Sequence, residues 1–384
     1  MGQIEGMKIN YRDIFLAFKM AFDPKKLFLG YLGLLVSLAW SMVVLAVSNG
    51  LKLVEVTPFI FIKILLSSVR EGTPVLIKNV LLAISPLDIG EVLVSLILVL
   101  GLLALWSVVG GALTRIAVLD YARDVNLSLR EALKFARRKF WTYFWSPMVP
   151  FVGVLFFALC NIILGLVGRV PVFGEVIVAL GFPVALLSGI LIFFVGVIGM
   201  LGICFMFPTI SAEGSDAFDA MSRAYSYVLS RPKQYFFYFF IKMLYGLSCF
   251  VIIAFVAWLV MQMTFCTLGI GMGESFDAVL SFIAEKCNVA CLGFCSTASS
   301  GGKEMAVVLD RWPLKFLAYV LIGYIFLIKL LVWNFAVTYI FSAKTIIYFL
   351  LRKDIDSTDV ADVYVEKAMP VVQISANEGV ESLR

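Results

Sequence analysis

The sequence predicts an all-α integral membrane protein in which six transmembrane helices form three parallel two-span repeats, each preceded by a cytoplasmic amphipathic interfacial helix. Three observations support this fold class. Hydrophobic residues make up 62% of the 384 residues, charged residues only 15%, and the mean hydropathy is +1.00, whereas soluble domains are about half apolar and about a quarter charged. Six apolar stretches are long enough to cross a bilayer. Finally, one short motif recurs along the chain, at 13–22, 128–137 and 216–225.

The six predicted spans follow from length and hydropathy. About 20 helical residues cross the roughly 30 Å of bilayer hydrocarbon. The fourth span is longer than one straight crossing needs, and Pro183 within it predicts a kink or a broken first turn. The predicted spans are 27–48, 92–114, 147–168, 176–207, 235–261 and 316–342.

The distribution of Lys and Arg predicts the orientation of these spans. The segments on one side carry twenty Lys or Arg residues, and the connections on the other side carry nine. Basic residues are enriched on the cytoplasmic side of membrane proteins. We therefore expect a multi-pass protein of the cytoplasmic (inner) membrane with both termini in the cytoplasm.

The chain is predicted to form a single polytopic membrane domain over 1–353, followed by a partly disordered cytoplasmic tail over 354–384. An amphipathic helix is predicted over 274–286, on the outer side. The predicted repeat units are about 9–123, 124–208 and 213–353, and the two long outer loops are 49–91 and 262–315.

A short amphipathic helix precedes each predicted repeat. In the first, Ile14, Phe18 and Phe22 recur every four residues, with Arg12 and Lys19 off that stripe. Such helices lie in the membrane interface with the apolar face toward lipid, and their basic residues favour anionic headgroups. The apolar faces predicted for the other two are Leu129, Leu133, Ala136 and Phe140, and Ala217, Met221, Ala224, Tyr225 and Val228.

Basic residues on and near these helices are the predicted contacts with membrane lipids, including anionic lipids. A role as entry helices that seat each hairpin is favoured over a role as a regulatory lipid sensor. No nucleic-acid partner is expected, whereas a protein partner or a homo-oligomer stays open. The candidate membrane-surface residues are Lys25, Lys26, Arg130, Lys134, Arg137, Arg138 and Lys139.

Two of these motifs and the end of the last span carry a resemblance to a known group. The motif at 13–22 precedes a Pro-Lys pair and a span, as does the motif at 216–225. Together with the closing segment 345–356, they resemble a broad group of uncharacterised bacterial inner-membrane proteins, similar to the membrane domain fused to some glycerophosphodiester phosphodiesterases. The resemblance implies an inner-membrane location and a helical fold. It implies no activity, because an enzyme of that type would need histidine and acidic residues that this chain lacks.

The sequence contains no histidine. Imidazole titrates near neutral pH and is a common ligand of zinc and haem, so its absence removes the usual general base of hydrolases and many cofactor sites. The predicted spans also contain no carboxylate, which argues against proton-coupled transport. We expect neither an enzymatic centre nor a cofactor.

Lys329 is the candidate ligand-binding residue inside the membrane. It lies midway between Lys315 and Lys344, about 21 Å from each along the sixth span, and a charged lysine at that depth costs on the order of 3 kcal/mol. One interpretation is that Lys329 holds an anionic headgroup or solute, with Asn334 and Asn161 as hydrogen-bond partners. The favoured alternative is a lysine that snorkels from a tilted helix or bonds to a backbone carbonyl.

One further lysine and three glycines of the spans also carry structural predictions. Lys242, two turns into the fifth span, is predicted to snorkel to the interface. Gly110 and Gly111 in span two and Gly199 in span four are predicted to let helix backbones approach closely.

Four cysteines of the second outer loop are candidate disulfide partners. If that side of the membrane is oxidising, two disulfides are the preferred interpretation, and three pairings are possible. The regular spacing of the last three also permits a metal site on one helical face, which is less favoured because zinc sites usually begin with two cysteines separated by two residues. The candidates are Cys266, Cys287, Cys291 and Cys295.

Two functional hypotheses follow. The first is a transporter-like or lipid-handling protein that binds an anionic amphiphile without catalysis. The second is a non-catalytic structural or accessory subunit that docks other proteins at the membrane. Replacement of Lys329 discriminates between them, because loss of anionic-lipid binding with retained folding favours the first.

Overall fold

The computed structural model describes residues 11–50, 89–287 and 312–364, and the regular structure in these ranges is entirely helical. A short 3₁₀ helix at Tyr11–Phe15 opens the described chain. The α-helices that follow are α1 (Leu16–Ala21), α2 (Pro24–Gly50), α3 (Ile89–Arg123), α4 (Leu129–Arg138), α5 (Phe140–Val167), α6 (Phe173–Glu213), α7 (Ala217–Ser230), α8 (Pro232–Met272), α9 (Glu274–Cys287) and α10 (Trp312–Asp356).

Six of these helices are long and apolar enough to cross a membrane, namely α2, α3, α5, α6, α8 and α10. The six predicted spans are therefore confirmed as helices, and the molecule has the composition of a multi-pass membrane protein. Several helices run past the predicted limits: α6 continues to Glu213, α8 to Met272 and α10 to Asp356. Hydropathy marks only the apolar part of such a helix, whereas its backbone hydrogen bonding continues into the polar ends.

Prolines do not interrupt the long helices. Helix α6 is continuous through Pro183 and Pro208, and α5 contains Pro147 and Pro150. Of the two alternatives predicted at Pro183, a kink or a broken first turn, the broken first turn is therefore wrong. Proline inside a transmembrane helix is tolerated where neighbouring groups satisfy the freed backbone carbonyl.

The core lies at one end of the molecule, where the C-terminal parts of α3, α6 and α10 pack together. Every residue of 111–119, 205–212 and 342–352 is buried, and we call these three segments the packed end. A helix that is buried on every face must be surrounded by other elements. The first turns of α2, α5 and α8 reach the same place, through Leu29, Tyr143 and Tyr235.

The recurring motifs form the three short helices α1, α4 and α7, which surround the packed end. Ala17 of α1, Ala132 and Ala136 of α4, and Ala224 of α7 belong to the same buried cluster as the packed end. Small alanine side chains allow a helix to lie close against its neighbours. These faces therefore pack against protein. The apolar stripe predicted for the first short helix is divided between two environments. Ile14 is buried, whereas Phe22 is exposed.

The opposite ends of the long helices leave apolar side chains uncovered. In the α5–α6 hairpin, Phe151, Phe156, Leu180 and Phe193 are all exposed. Contiguous apolar surface of this extent is unfavourable in water. It fits contact with lipid tails.

Glycines lie at close contacts between the long helices. A Cβ atom added at Gly111 would lie 2.8 Å from the Tyr143 ring of α5, and one at Gly199 would lie 2.7 Å from Pro150. One at Gly110 would lie 2.8 Å from Phe341. These glycines therefore allow the close helix contacts that the sequence predicts.

Two segments complete the described chain. The helix predicted over 274–286 is present as α9, and its Val279 and Ile283 pack against Ala318 of α10.

After α10, residues 357–364 run back over the end of α6, where the Tyr364 amide donates to the Ala212 carbonyl at 2.7 Å. This beginning of the predicted tail is thus tied to the bundle.

Arginine side chains hold that returning segment through its backbone. Arg115, which is fully buried, donates to the carbonyls of Ser211 and Tyr364. Arg123 donates to the carbonyl of Val363, and Arg352 donates to that of Asp362. An arginine fork offers several donors in fixed directions, so it can join α3, α6 and the C-terminal segment at once.

Candidate functional site

The exposed basic face of α4 is a charged surface feature that the sequence predicts. Arg130, Lys134, Arg137 and Arg138 are exposed. With Leu133 they line a shallow surface hollow of about 490 Å³. Arg130 and Arg137 form no ion pair with any acid among the described residues. The face can therefore attract an anion from outside the chain.

Local sequence explains why α4 begins where it does. The Ser128 hydroxyl accepts from the Glu131 amide at 3.3 Å, and the Glu131 carboxylate accepts from the Ser128 amide at 3.2 Å. This reciprocal pair is a capping box, which satisfies two backbone amides that would otherwise lack partners. The hydrogen bond from the Ser128 hydroxyl, then that from the Ser128 amide, and the charges of Lys134 and Lys25 lower the pKa of Glu131.

The inner face of α4 fixes its rotation. Ala132, Phe135 and Ala136 are buried against the bundle. The guanidinium of Arg115 lies 4.3 Å from the centre of the Phe135 ring, a cation–π contact that is stronger away from water. The basic residues consequently point outward from a rigid support.

Three of the seven predicted membrane-surface residues make internal contacts instead. Lys26 is only 1% exposed, and its Nζ lies 2.7 Å from Asp120 Oδ2 at the end of α3. Lys25 donates to the Leu127 carbonyl, and Lys139 donates to the Gly214 carbonyl at 2.7 Å. The assignment of Lys26 to the membrane surface is therefore corrected, because this residue is buried. The change arises because the start of α2 packs beside the end of α3.

A second basic feature lies inside the bundle between α6, α8 and α10. Lys242 and Lys344 line one small cavity of about 10 Å³, together with Cys204 of α6 and the aromatic residues Tyr235 and Phe239 of α8. We call it the dilysine cavity. Its volume corresponds to about one water molecule.

Both lysines of the dilysine cavity are buried, Lys242 to 5% and Lys344 to 7% exposure. Lys344 Nζ lies 3.6 Å from the ring centre of Phe341 and 4.9 Å from that of Phe207, and Lys242 Nζ lies 5.3 Å from that of Phe239. Lys242 was predicted to snorkel, which is wrong. It stays buried because its stem and ammonium are covered by α6 and α10.

The acidic side chains next to the packed end, Glu213 and Asp356, are paired with other side chains. Glu213 accepts from the Tyr348 hydroxyl at 2.6 Å, and Arg223 Nη1 lies 2.7 Å from Glu213 Oε2. The Tyr227 hydroxyl donates to Asp356 at 2.6 Å. Burial, and then this bond, raise the pKa of Tyr227, so its hydroxyl stays protonated at neutral pH.

The residues predicted to form an intramembrane site are not brought together. Lys329 is exposed on the surface of α10. Asn334 is fully buried and donates to the Leu27 carbonyl of α2 at 2.7 Å. Asn161 of α5 accepts from the Ser188 hydroxyl of α6 at 2.6 Å. Each asparagine therefore joins a different helix pair.

The disulfide prediction is not supported where the structure describes it. Cys266 carries a thiol, as do Cys160, Cys204 and Cys249, and no disulfide forms among the described residues. Cys291 and Cys295 lie outside the described residues, as does the side chain of Cys287. No cluster of possible metal ligands occurs within 11–50, 89–287 and 312–364.

Sequence reasoning missed Lys344 as a site residue. It lies two residues beyond the predicted end of the sixth span, where a lysine is normally read as an interfacial anchor. The signal that could have found it is its setting, since Lys344 stands in a run of apolar and small residues that continues to Leu351. A lysine inside such a run is expected to be buried.

Comparison with known proteins leaves the chain without an assigned relative. No family model matches it, and no curated protein and no solved structure is significantly similar to it. The resemblance to the membrane domain of certain phosphodiesterases therefore stays a prediction.

Proposed function

We propose that this chain is a multi-pass protein of the cytoplasmic membrane that binds anionic lipid headgroups, in a lipid-handling or transporter-like role without catalysis. The observation that carries the proposal is the exposed basic face of α4 on a rigid, capped and buried support. A basic residue near an anionic membrane surface contributes about 1 kcal/mol of attraction. Arg130, Lys134 and Arg137 together would strengthen binding up to about 100-fold at low salt.

The architecture that supports this role is three two-span units. The pairs α2–α3, α5–α6 and α8–α10 each pack as neighbours along the chain, and α1, α4 and α7 each precede one pair. The charge distribution of the sequence supports a cytoplasmic position for the end that carries these short helices. In that orientation the α4 face lies toward the anionic inner leaflet.

The absence of a catalytic role rests on the sequence. The chain has no histidine to act as a general base near neutral pH. The buried carboxylate next to the packed end, that of Glu213, is engaged by Arg223 and Tyr348. A carboxylate held in this way stabilises structure and is poorly placed to accept a substrate proton.

The test measures lipid binding in nanodiscs that contain phosphatidylglycerol and phosphatidylcholine. Native mass spectrometry counts the phosphatidylglycerol molecules retained by the wild type and by the variant R130Q/K134Q/R137Q. The matched control is R12Q/K19Q/K233Q, which removes three other exposed charges. We expect the α4 variant to lose the lipid preference and the control to keep most of it. Equal losses in the two variants would show that total charge, and not α4, determines binding.

The second candidate function is a non-catalytic accessory subunit. Its support is the same rigid basic face, because a preformed surface also suits an acidic segment of a protein partner or a second copy of the chain. The measurement that favours it is unchanged lipid binding in the α4 variant combined with a changed oligomeric mass in detergent.

A further inference from the structure

We infer that the dilysine cavity is an internal site for the phosphate group of an anionic phospholipid, held between α6, α8 and α10 by Lys242 and Lys344. The inference rests on the proposed function for its class of ligand. It depends on different residues from the α4 face, and it concerns a bound lipid inside the bundle.

The first step is the charge balance of the cavity. Lys242 and Lys344 are both more than nine-tenths buried. Within the described part of the chain, neither ammonium group forms an ion pair with a carboxylate. Both ammonium groups are removed from water and line the same cavity. A buried ammonium ion is stabilised by a counterion, which an anion from outside the described chain would supply.

The groups that face the lysines do not supply that counterion. Tyr235 uses its hydroxyl to donate to the Leu201 carbonyl at 3.1 Å. The rings of Phe239, Phe341 and Phe207 offer cation–π contacts, which replace only part of the hydration lost on burial. Cys204 is a thiol at the edge of the cavity.

The second step is depth. Cys204 lies nine residues before the end of α6 at Glu213, Lys242 lies ten residues after the start of α8 at Pro232, and Lys344 lies twelve residues before the end of α10 at Asp356. At 1.5 Å per residue, all three are about 14 to 18 Å from those helix ends. They are thus level with one another.

That level lies near the cytoplasmic boundary of the predicted spans, on average slightly inside the hydrocarbon. Cys204 and Lys344 are within one turn of the predicted limits of their spans, and Lys242 is about two turns inside its span. Phospholipid phosphates lie just outside that boundary, with the acyl chains directed toward the membrane centre. A lipid phosphate that enters the bundle by one to two helical turns would reach the lysines, and inorganic phosphate is the alternative that the test distinguishes.

The third step is size. The cavity holds about 10 Å³ and is partly open, which is enough for one phosphate oxygen in place of one water molecule. The rest of the headgroup would stay at the opening. Lysine ammonium groups donate charge-assisted hydrogen bonds to phosphate oxygens, and these bonds are stronger than neutral ones.

The test compares the thermal unfolding midpoint of the full chain in detergent with added phosphatidylglycerol, phosphatidylcholine or inorganic phosphate. The variants are K242M/K344M and the control K315M, which removes an exposed lysine from α10. A ligand that binds only the folded state raises the midpoint. We expect phosphatidylglycerol to raise it for the wild type and K315M, and to lose that effect in K242M/K344M.

A second measurement on the wild type does not depend on the folding of a variant. Amine acetylation of Lys344 and Lys242, followed by peptide mass spectrometry, should be about tenfold slower with phosphatidylglycerol than with phosphatidylcholine, with Lys315 as the internal control. Equal rates would overturn the proposal. An equal rise of the midpoint with inorganic phosphate would overturn the assignment to lipid and identify free phosphate as the ligand.

The two proposals fail separately. The variant R130Q/K134Q/R137Q should keep the midpoint rise with phosphatidylglycerol while it loses surface lipid. Salt also separates them, since raising the ionic strength to about 0.5 M screens exposed charges far more than buried ones. Loss of the midpoint rise in the α4 variant would contradict an independent internal site.

Discussion

Tyr348 of α10 donates a hydrogen bond of 2.6 Å to Glu213, the last residue of α6. The same carboxylate lies 2.7 Å from Arg223 Nη1 of α7 and 3.4 Å from Arg352 Nε of α10. One acidic side chain therefore joins three helices at the packed end. Asp219, which also contacts Arg223, is exposed.

Replacement of Glu213 by Gln should destabilise the fold by about 3 kcal/mol, because it leaves the buried Arg352 without its carboxylate. Thermal unfolding in detergent measures the change. The control is D219N, which removes an exposed partner of Arg223 and should cost less than about 1 kcal/mol. Equal effects of the two substitutions would contradict a special role for Glu213.

The pair Lys26–Asp120 should show an interaction energy in a double-mutant cycle. The Lys26 side chain is 1% exposed and that of Asp120 is 29% exposed, so solvent screens the pair only in part. We expect K26M, D120N and the double variant to give a coupling of about 1 to 3 kcal/mol in unfolding free energy. The comparison pair K19M and D120N, which shares no contact, should be additive.

The capping box of α4 should respond to acid. The pKa of Glu131 is lowered in the fold, so its contribution is present above the ordinary carboxyl pKa and is lost as the pH falls through the lower folded value. The substitution S128A should raise that pKa and cost about 1 kcal/mol of stability. Carbon NMR titration of the labelled carboxyl measures the pKa, and E131Q should abolish this acid dependence. An unchanged pKa in S128A would contradict the assigned cause.

Helix packing at Gly111 should tolerate no side chain. Valine there would push into the Tyr143 ring, which a Cβ would approach to 2.8 Å, and overpacking of this kind costs about 1 to 3 kcal/mol. Gly165 is the control, because a Cβ there meets nothing within 4 Å. The unfolding midpoints of G111V and G165V should differ accordingly, and similar midpoints would argue against close packing.

The six long helices could be predicted because the bilayer imposes a simple rule of length and hydropathy. The environment of individual lysines could not be predicted in the same way. Lys26 is buried by Asp120, 94 residues away, and Lys344 is buried by helices that begin elsewhere in the chain. Such contacts depend on how the helices pack, which the pattern along one helix does not encode.

The short amphipathic helices show the same limit. Their apolar periodicity predicts a lipid-facing stripe, whereas Ala136 and Ala224 are buried against protein. Periodicity does not distinguish lipid from protein as the covering material. Lys329 illustrates the opposite case. It was placed near the membrane midplane by counting residues, and its exposure on α10 became visible only from the fold.

Because the core lies at one end, the helices can respond to bilayers of different hydrocarbon thickness. Helices fixed together at 111–119, 205–212 and 342–352, with loosely packed far ends, can adjust their tilt about that fixed region. Tilting is how long helices adapt to a change in hydrocarbon thickness, at a small cost per ångström. We therefore expect the far ends of the helices to move apart in a thinner bilayer and closer together in a thicker one. The charged network around Glu213 should keep its geometry in both.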